Sequence, residues 1–261
     1  MTAEHFDSQL IALYSEQAKH KTNNYLHAHS HNLAVIRRDT SIFKRYSRFV
    51  PESGRVLDWG CAHAPTACLV KMLRGDSIEL HGCDVHAEEY RAFYEFAGLR
   101  YSQLRHHYEL PYEDNFFDAV IGTAALEHVA NDGESLNQLY RVIKPGGLFI
   151  MTTLPNRFSY TEWLNRMLRK PHHLRTYSLS GAKEMFLHHG FLPVVAGYHQ
   201  VFPSLMAVGS RFANKVADAL ASKNEAGERI WPIRCFASNV FLIGKKVAGI
   251  DNADFDVHKR I

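Results

Sequence analysis

The apolar positions of this chain follow two rhythms, and the switches between them lay out its elements. Phe6, Leu10, Leu13 and Gln17 recur at helical spacing, as do Ile42, Tyr46 and Phe49. This predicts N-terminal helices on either side of a polar, histidine-rich stretch. Pro51-Glu52-Ser53-Gly54 is a turn. Short apolar runs then alternate with helix-like segments: a strand at 55–58, a helix at 65–74 closed by Gly75, a strand at 78–83, a helix at 87–97 closed by Gly98, and a strand within 99–104. A buried-type strand at 116–122, a helix at 133–142, the turn Lys144-Pro145-Gly146-Gly147 and a strand at 148–153 follow. A β-α-β-α order of this length calls for a parallel sheet with helices on both faces.

After Pro155 the rhythm changes. A helix is expected over 160–168, and another, capped by Ser178 or Ser180, ends at Gly190. Strands are expected at 191–198 and 239–245. Between them Leu205, Val208, Phe212, Val216 and Leu220 trace one face of an amphipathic helix. The organisation is thus an N-terminal helical cap over 1–50, an α/β domain over 51–248 with a helical insert at about 203–234, and a polar tail over 249–261.

Composition narrows the class. With 261 residues and 46% hydrophobic content the chain can bury one substantial core. A net charge of +3 without a basic block gives no reason to expect a nucleic-acid partner. The N-terminus lacks the basic and apolar regions of a signal peptide, and no apolar run approaches the ~18 residues of a membrane span. Of the four cysteines, Cys61, Cys68, Cys83 and Cys235, none forms a C-x-x-C pair. The expectation is a soluble, cytoplasmic protein with reduced thiols; its oligomeric state is not legible.

The chemistry concentrates at Val56-Leu57-Asp58-Trp59-Gly60-Cys61-Ala62-His63-Ala64, read with Asp84 one β-α-β unit later. A strand ending at a carboxylate, a turn of small residues and a second carboxylate at the next strand end suggest a nucleoside site. A carboxylate at Asp84 can accept both ribose hydroxyls. The loop lacks the G-x-G-x-x-G that would hold a pyrophosphate, which disfavours a dinucleotide fold. With Leu110-Pro111-Tyr112-Glu113-Asp114-Asn115-Phe116-Phe117-Asp118, Leu126-Glu127-His128-Val129 and Lys144-Pro145-Gly146-Gly147, this stretch resembles the class I S-adenosylmethionine-dependent methyltransferases, especially those of ubiquinone biosynthesis. The resemblance covers residues 50 to 155 well.

The resemblance implies a Rossmann-like, doubly wound α/β fold with a mostly parallel seven-stranded sheet. It implies S-adenosyl-L-methionine as cofactor, contacted by Asp58, Gly60, Cys61, Ala62, Asp84, Val85, His106, His107, Thr123 and His128. Two departures stand out. Ala62 and Ala64 occupy positions where the family has glycine, and a Cβ at Ala64 either crowds the cofactor or opposes a positive φ. His106 stands where the family often has an acid facing the adenine amine.

For catalysis His128, His172 and His173 are the candidates: His128 is expected to start the helix over the cofactor, and the other two fall where the family places substrate. Each has a plainer alternative, a packing histidine at 128 and a solvated linker at 172–173. Asp58 is either a cofactor contact or a cap for the helix that follows. Trp59 reads more readily as core than as a stacking platform, and His188-His189 as a favourable helix C-terminus. His27, His29 and His31 alternate without an acidic or cysteine partner, so no metal is expected. The resemblance also implies that the N-terminal segment closes over the site, with Tyr14 and Tyr25 as possible lining. Gly122-Thr123-Ala124-Ala125 replaces the Pro-Pro-aromatic motif of enzymes that methylate base amines, and carries no acidic metal ligand. The expected activity is methyl transfer to oxygen, less readily nitrogen, of a small or lipid-linked metabolite. The 205–220 helix would be a lid, a peripheral membrane contact or an ordinary helix over the sheet. The rival reading is a non-catalytic binding protein or partner subunit on the same fold.

Overall fold

The computed structural model describes residues 3–20, 33–86, 90–106, 108–170, 172–202 and 223–247. The chain begins with helices α1 (Ala3–Gln17) and α2 (Leu33–Tyr46). Then follow β1 (Gly54–Trp59), α3 (Pro65–Arg74), β2 (Ile78–Asp84), α4 (Arg91–Ala97), β3 (Arg100–Gln103), β4 (Phe117–Gly122), α5 (Asp132–Val142) and β5 (Ile143–Pro155). The remainder is α6 (Tyr160–Met167), α7 (Leu179–His188), β6 (Phe191–His199), α8 (Asn224–Arg229), a 3-10 turn at Ile233–Phe236 and β7 (Asn239–Lys246). His27, His29, His31, Tyr25, His107, the 205–220 helix and the 249–261 tail lie outside the described residues.

One seven-stranded sheet runs in the order β3-β2-β1-β4-β5-β7-β6. The first five strands are parallel, and β7 lies antiparallel to both its neighbours. Since β6 and β5 both oppose β7, β6 ends at the same edge as β1, β4 and β5. Both faces are covered, which is why the central strands read as continuous apolar runs. On one face Leu10, Tyr14, Phe43, Leu69 and Phe93 pack on Val56, Leu80 and Ile121. On the other, Leu136, Leu139 and Phe186 pack on Leu57, Val120 and Phe149. Trp59 is buried in this second core. The side chains of α1 and α2 join the first core rather than forming their own. The Gln17 Oε1 accepts the Ala92 amide at 3.0 Å, tying the end of α1 to α4.

Three local expectations are refined. Ser178, not Ser180, caps α7, its hydroxyl accepting the Gly181 amide at 3.1 Å. The turn at 144–147 is a bulge inside β5: pairing jumps from Phe117↔Ile143 to Ala119↔Leu148 while Gly146 takes φ +80°. The C-terminal histidines of α7 do not act only through the helix end, since His189 Nδ1 meets Asn137 Oδ1 at 2.8 Å.

Candidate active site

The site grows from the loop after β1. Gly60, Ala62 and Ala64 have φ of +68°, +44° and +57°, so the chain turns through the left-handed region at alternate residues. At Gly60 no side chain fits, because a Cβ would lie 2.8 Å from that of Ala125. The two alanines accept the backbone shape expected of glycine, at a cost of roughly 1–2 kcal/mol each. The loop's amides are used locally: Gly60 and Cys61 donate to the Cys83 carbonyl at 2.9 and 3.1 Å, and Ala62 donates to Asp84 Oδ2 at 2.9 Å. Cys61 is buried, and its thiol is raised well above its ordinary pKa by burial, so it contributes backbone and packing.

Two carboxylates flank this loop. Asp58 is 3% exposed, and its Oδ2 accepts the Ala67 amide at 3.1 Å, in the first turn of α3. It therefore caps α3 from the preceding strand while also lining the crevice beside the loop. Burial, with Asp84 nearby, raises its pKa to about 7. Asp84 uses Oδ2 on Ala62 and Oδ1 on the His86 amide at 3.1 Å. Each oxygen keeps a second lone pair for a diol. Val85, 55% exposed, offers an apolar surface next to it.

Two spaces open near the end of β2, neither lined by Asp84 itself. On the Ala62 side a crevice of about 110 Å³ is lined by Arg38, Asp39 and Tyr46 of α2 together with Asp58, Gly60, Thr66 and Thr123. On the other side a groove of about 410 Å³ is lined by Gln103, Arg105, His106 and Glu109. Thr123 is fixed by the Thr152 hydroxyl at 3.1 Å and lies 3.4 Å from that of Thr66. Tyr14 does not line the crevice. Its hydroxyl meets His63 Nε2 at 2.7 Å and holds the tip of the loop from α1.

One turn past Ala125 a second cluster forms. The His128 amide donates to the Ala125 carbonyl at 3.0 Å, and the largely exposed His128 ring lies 5.9 Å from that of His173. His173 is oriented by Glu162 of α6: its Nδ1 meets Oε1 at 2.8 Å and its amide donates to Oε2 at 2.9 Å. Arg175 ties the segment down by donating to the carbonyls of Val129 at 2.8 Å and Leu126 at 3.2 Å. Glu127 completes the group. It is buried, its Oε2 has no hydrogen-bond partner, and burial raises its pKa to about 7. The partial desolvation of the otherwise exposed His128 ring and the neighbouring His173 depress the pKa of His128. Ligand atoms of Glu127, His128 and His173 lie within 4.8 Å of one another, close enough to share a cation, a grouping the sequence did not suggest.

His172 takes no part in this cluster. Its Nδ1 bonds the Lys170 carbonyl at the surface, 3.1 Å away. His173, next in the chain, is partly buried against Glu162 instead.

Residues 57–151 match the family described as methyltransferase domain. The likeness is to a methyltransferase domain, over 95 of the 261 residues. A protein of Mycolicibacterium smegmatis named "Probable S-adenosylmethionine-dependent methyltransferase" is 28% identical over 136 residues, 52% of this chain and 51% of that protein. A fatty-acid O-methyltransferase of the same organism is 29% identical over 124 residues, 46% of this chain and 44% of that one. The chain thus spans about half the length of these curated relatives. The structure of geranyl diphosphate C-methyltransferase from Streptomyces coelicolor A3(2), bound to S-adenosyl-L-homocysteine, superposes with a TM-score of 0.55 at 12% identity, over 80% of this chain and 81% of that one; the likeness is one of fold.

The first of the relatives named above carries S-adenosylmethionine in its name, and the residues here would fit that group: Asp84 retains acceptor capacity and Val85 is exposed beside it. Sequence reasoning missed Arg38, Asp39, Tyr46 and Thr66 at the crevice, and Glu162 behind His173. It also missed a buried triad at the end of β6, where Glu228 of α8 holds Arg45 of α2 at 2.5 Å and lies 3.5 Å from His199. Helical periodicity places Tyr46 and Arg45 on α2 but carries no sign of which distant strand they meet. A cleft of about 620 Å³ lies at β6 and β7, lined by Lys183, Tyr198, Arg229 and Phe241 together with Arg45 and Glu228.

Proposed function

We propose that this methyltransferase acts on an oxygen of a small or lipid-linked metabolite, with His173 as the group that takes the acceptor's proton. The observation that carries the reading is the His173–Glu162 pair, 2.8 Å apart and facing His128 beside the cofactor loop. A nitrogen acceptor that is already neutral needs no base, whereas a hydroxyl must lose its proton as it is methylated. The name of the fatty-acid O-methyltransferase relative supports the same acceptor class.

S-adenosylmethionine, when bound, supplies a methyl group already activated as a sulfonium. Asp84 would hold the ribose, and Asp58, Gly60, Ala62 and Thr123 would border the methionine end. The protein's remaining task is alignment, which can be worth effective molarities of ~10⁵–10⁸ M. Glu162 fixes the His173 ring by its Nδ1 edge, so Nε2 is the nitrogen presented to an acceptor. Glu162 is then a positioning residue, and it stabilises the imidazolium once His173 has taken the proton.

The rival, a non-catalytic binder or partner subunit, rests on Ala62, Ala64 and His106; the positive φ values of the two alanines keep the loop in the shape glycine would give it. Calorimetric titration with S-adenosylmethionine should show binding to the wild type and a tenfold or greater loss, about 1.4 kcal/mol or more, in Asp84→Ala with folding intact. Transfer of labelled methyl to hydroxylated lipids should fall roughly 10²–10⁴-fold in His173→Gln and less in Glu162→Gln, in kcat rather than KM. Cofactor binding without transfer to any hydroxyl acceptor, or transfer indifferent to His173, would remove the reading.

A further inference from the structure

We propose that α6 and the neighbouring turn at 230–236 form one docking surface for a bilayer containing anionic lipid. The proposal deepens the lipid-linked reading above by naming where the acceptor comes from. Helix α6 buries none of its side chains, although its sequence, Tyr160-Thr161-Glu162-Trp163-Leu164-Asn165-Arg166-Met167, is rich in large apolar groups. Trp163 is 62% exposed and Met167 63%, and the exposed Phe158 and Leu168 flank them. Leu174, in the segment that returns from the helix, is 97% exposed. Trp231, 72% exposed, and Phe236 belong to the second segment.

The two segments are one surface because a buried asparagine joins them. Asn156 Nδ2 donates to the carbonyls of Cys235 at 2.9 Å and Ala237 at 2.8 Å, and the Asn156 amide donates to Ser238. Thr161 Oγ1 and Ser238 Oγ meet at 3.2 Å. Large apolar groups scattered singly over a surface need no account, but a contiguous set with two tryptophans does.

Charge chooses the occupant. Arg157, Arg166, Arg169 and Lys170 are exposed around α6, and Arg229 and Arg234 around the turn. The only acid between residues 156 and 178 is Glu162, and it is committed to His173. Tryptophan, leucine and phenylalanine bordered by arginine and lysine are the composition of a surface that sits at the headgroup level of an anionic membrane. A second copy of this chain would bring the same positive charge against itself. The placement also suits the reaction, because α6 carries Glu162 on its inner side, so an acceptor leaving the bilayer there would arrive beside His173.

The test uses the full chain with vesicles of phosphatidylcholine alone or mixed with phosphatidylglycerol. Of the three tryptophans, Trp59 is buried while Trp163 and Trp231 are exposed, so their emission reports on this surface. Sedimentation with the mixed vesicles, a blue shift of emission and quenching by brominated lipid are expected, all weakened by salt. Arg166→Glu with Arg169→Glu and Lys170→Glu should weaken binding about tenfold or more, and Trp163→Ala with Trp231→Ala should abolish the shift. Equal binding to neutral vesicles, no binding by folded protein, or a shift that follows protein concentration without lipid would overturn the proposal. Titration with S-adenosylmethionine on the same samples keeps the two readings apart: vesicle binding without cofactor binding would sink the function and spare the surface.

Discussion

Ala64 shows how far a residue can depart from its family and still keep a backbone shape. The sequence marks it as a problem, and the structure confirms the strain without the distortion, since φ is +57° and the side chain is fully buried. Ala64→Gly should therefore be neutral to stabilising by up to about 1 kcal/mol, relief of strain offsetting the extra freedom of the unfolded chain. Thermal unfolding would show it as an unchanged or raised Tm. Asp58 carries a different strain, electrostatic rather than steric. Its reference value is 3.8 and its folded value about 7, so between those pH values the folded state holds a proton that the unfolded state has lost. The stability it contributes is present below the lower value and disappears as pH rises through the upper one, with ~4 kcal/mol as a ceiling. Asp58→Asn keeps an oxygen for the Ala67 amide and removes the charge. Its Tm should exceed that of the wild type at pH 8 by a margin that shrinks toward pH 5, checked by thermal melts across that range; an advantage independent of pH would exclude a buried charge as the cause.

The elements were legible in proportion to how locally they are determined. Strands β1, β2, β4 and β5 are buried on both faces and announce themselves as apolar runs, and Gly75 and Gly98 close their helices as expected. The motifs at 56–64 and 126–129 fall on the strand ends where the chemistry sits. What was not legible depends on encounters between distant segments. Arg45, His199 and Glu228 come from two helices and a strand, and nothing in their neighbourhoods signals the meeting. His172 and His173 cannot be told apart by type, only by which one meets Glu162 of α6. Asn156 is the element-scale counterpart: one amide, at the end of β5, fixes a turn some eighty residues later. Asn156→Ala should cost about 2–3 kcal/mol, because the carbonyls of Cys235 and Ala237 would lose their donor in a buried place. Hydrogen exchange should quicken over 230–238 ahead of the rest of the molecule; uniform quickening would mean that the turn is held some other way.

At the scale of the molecule, the sheet divides labour between its halves. The β1, β2 and β4 ends border the loop at 60–64 and Asp84, while β5, β6 and β7 carry the helices that bring His173 and the basic apolar surface to the same edge. The order of the last strands has a consequence for biosynthesis. β7 comes after β6 in the chain but lies between β5 and β6 in the sheet, so on the ribosome β6 is made well before the strand that will hold it. Until residues 239–246 emerge, β5 has an open edge and β6 has no neighbour to join. A nascent chain would thus carry a finished β1–β4 half and an unfinished β5–β7 half, and interrupted synthesis would release an incomplete sheet with a sticky margin.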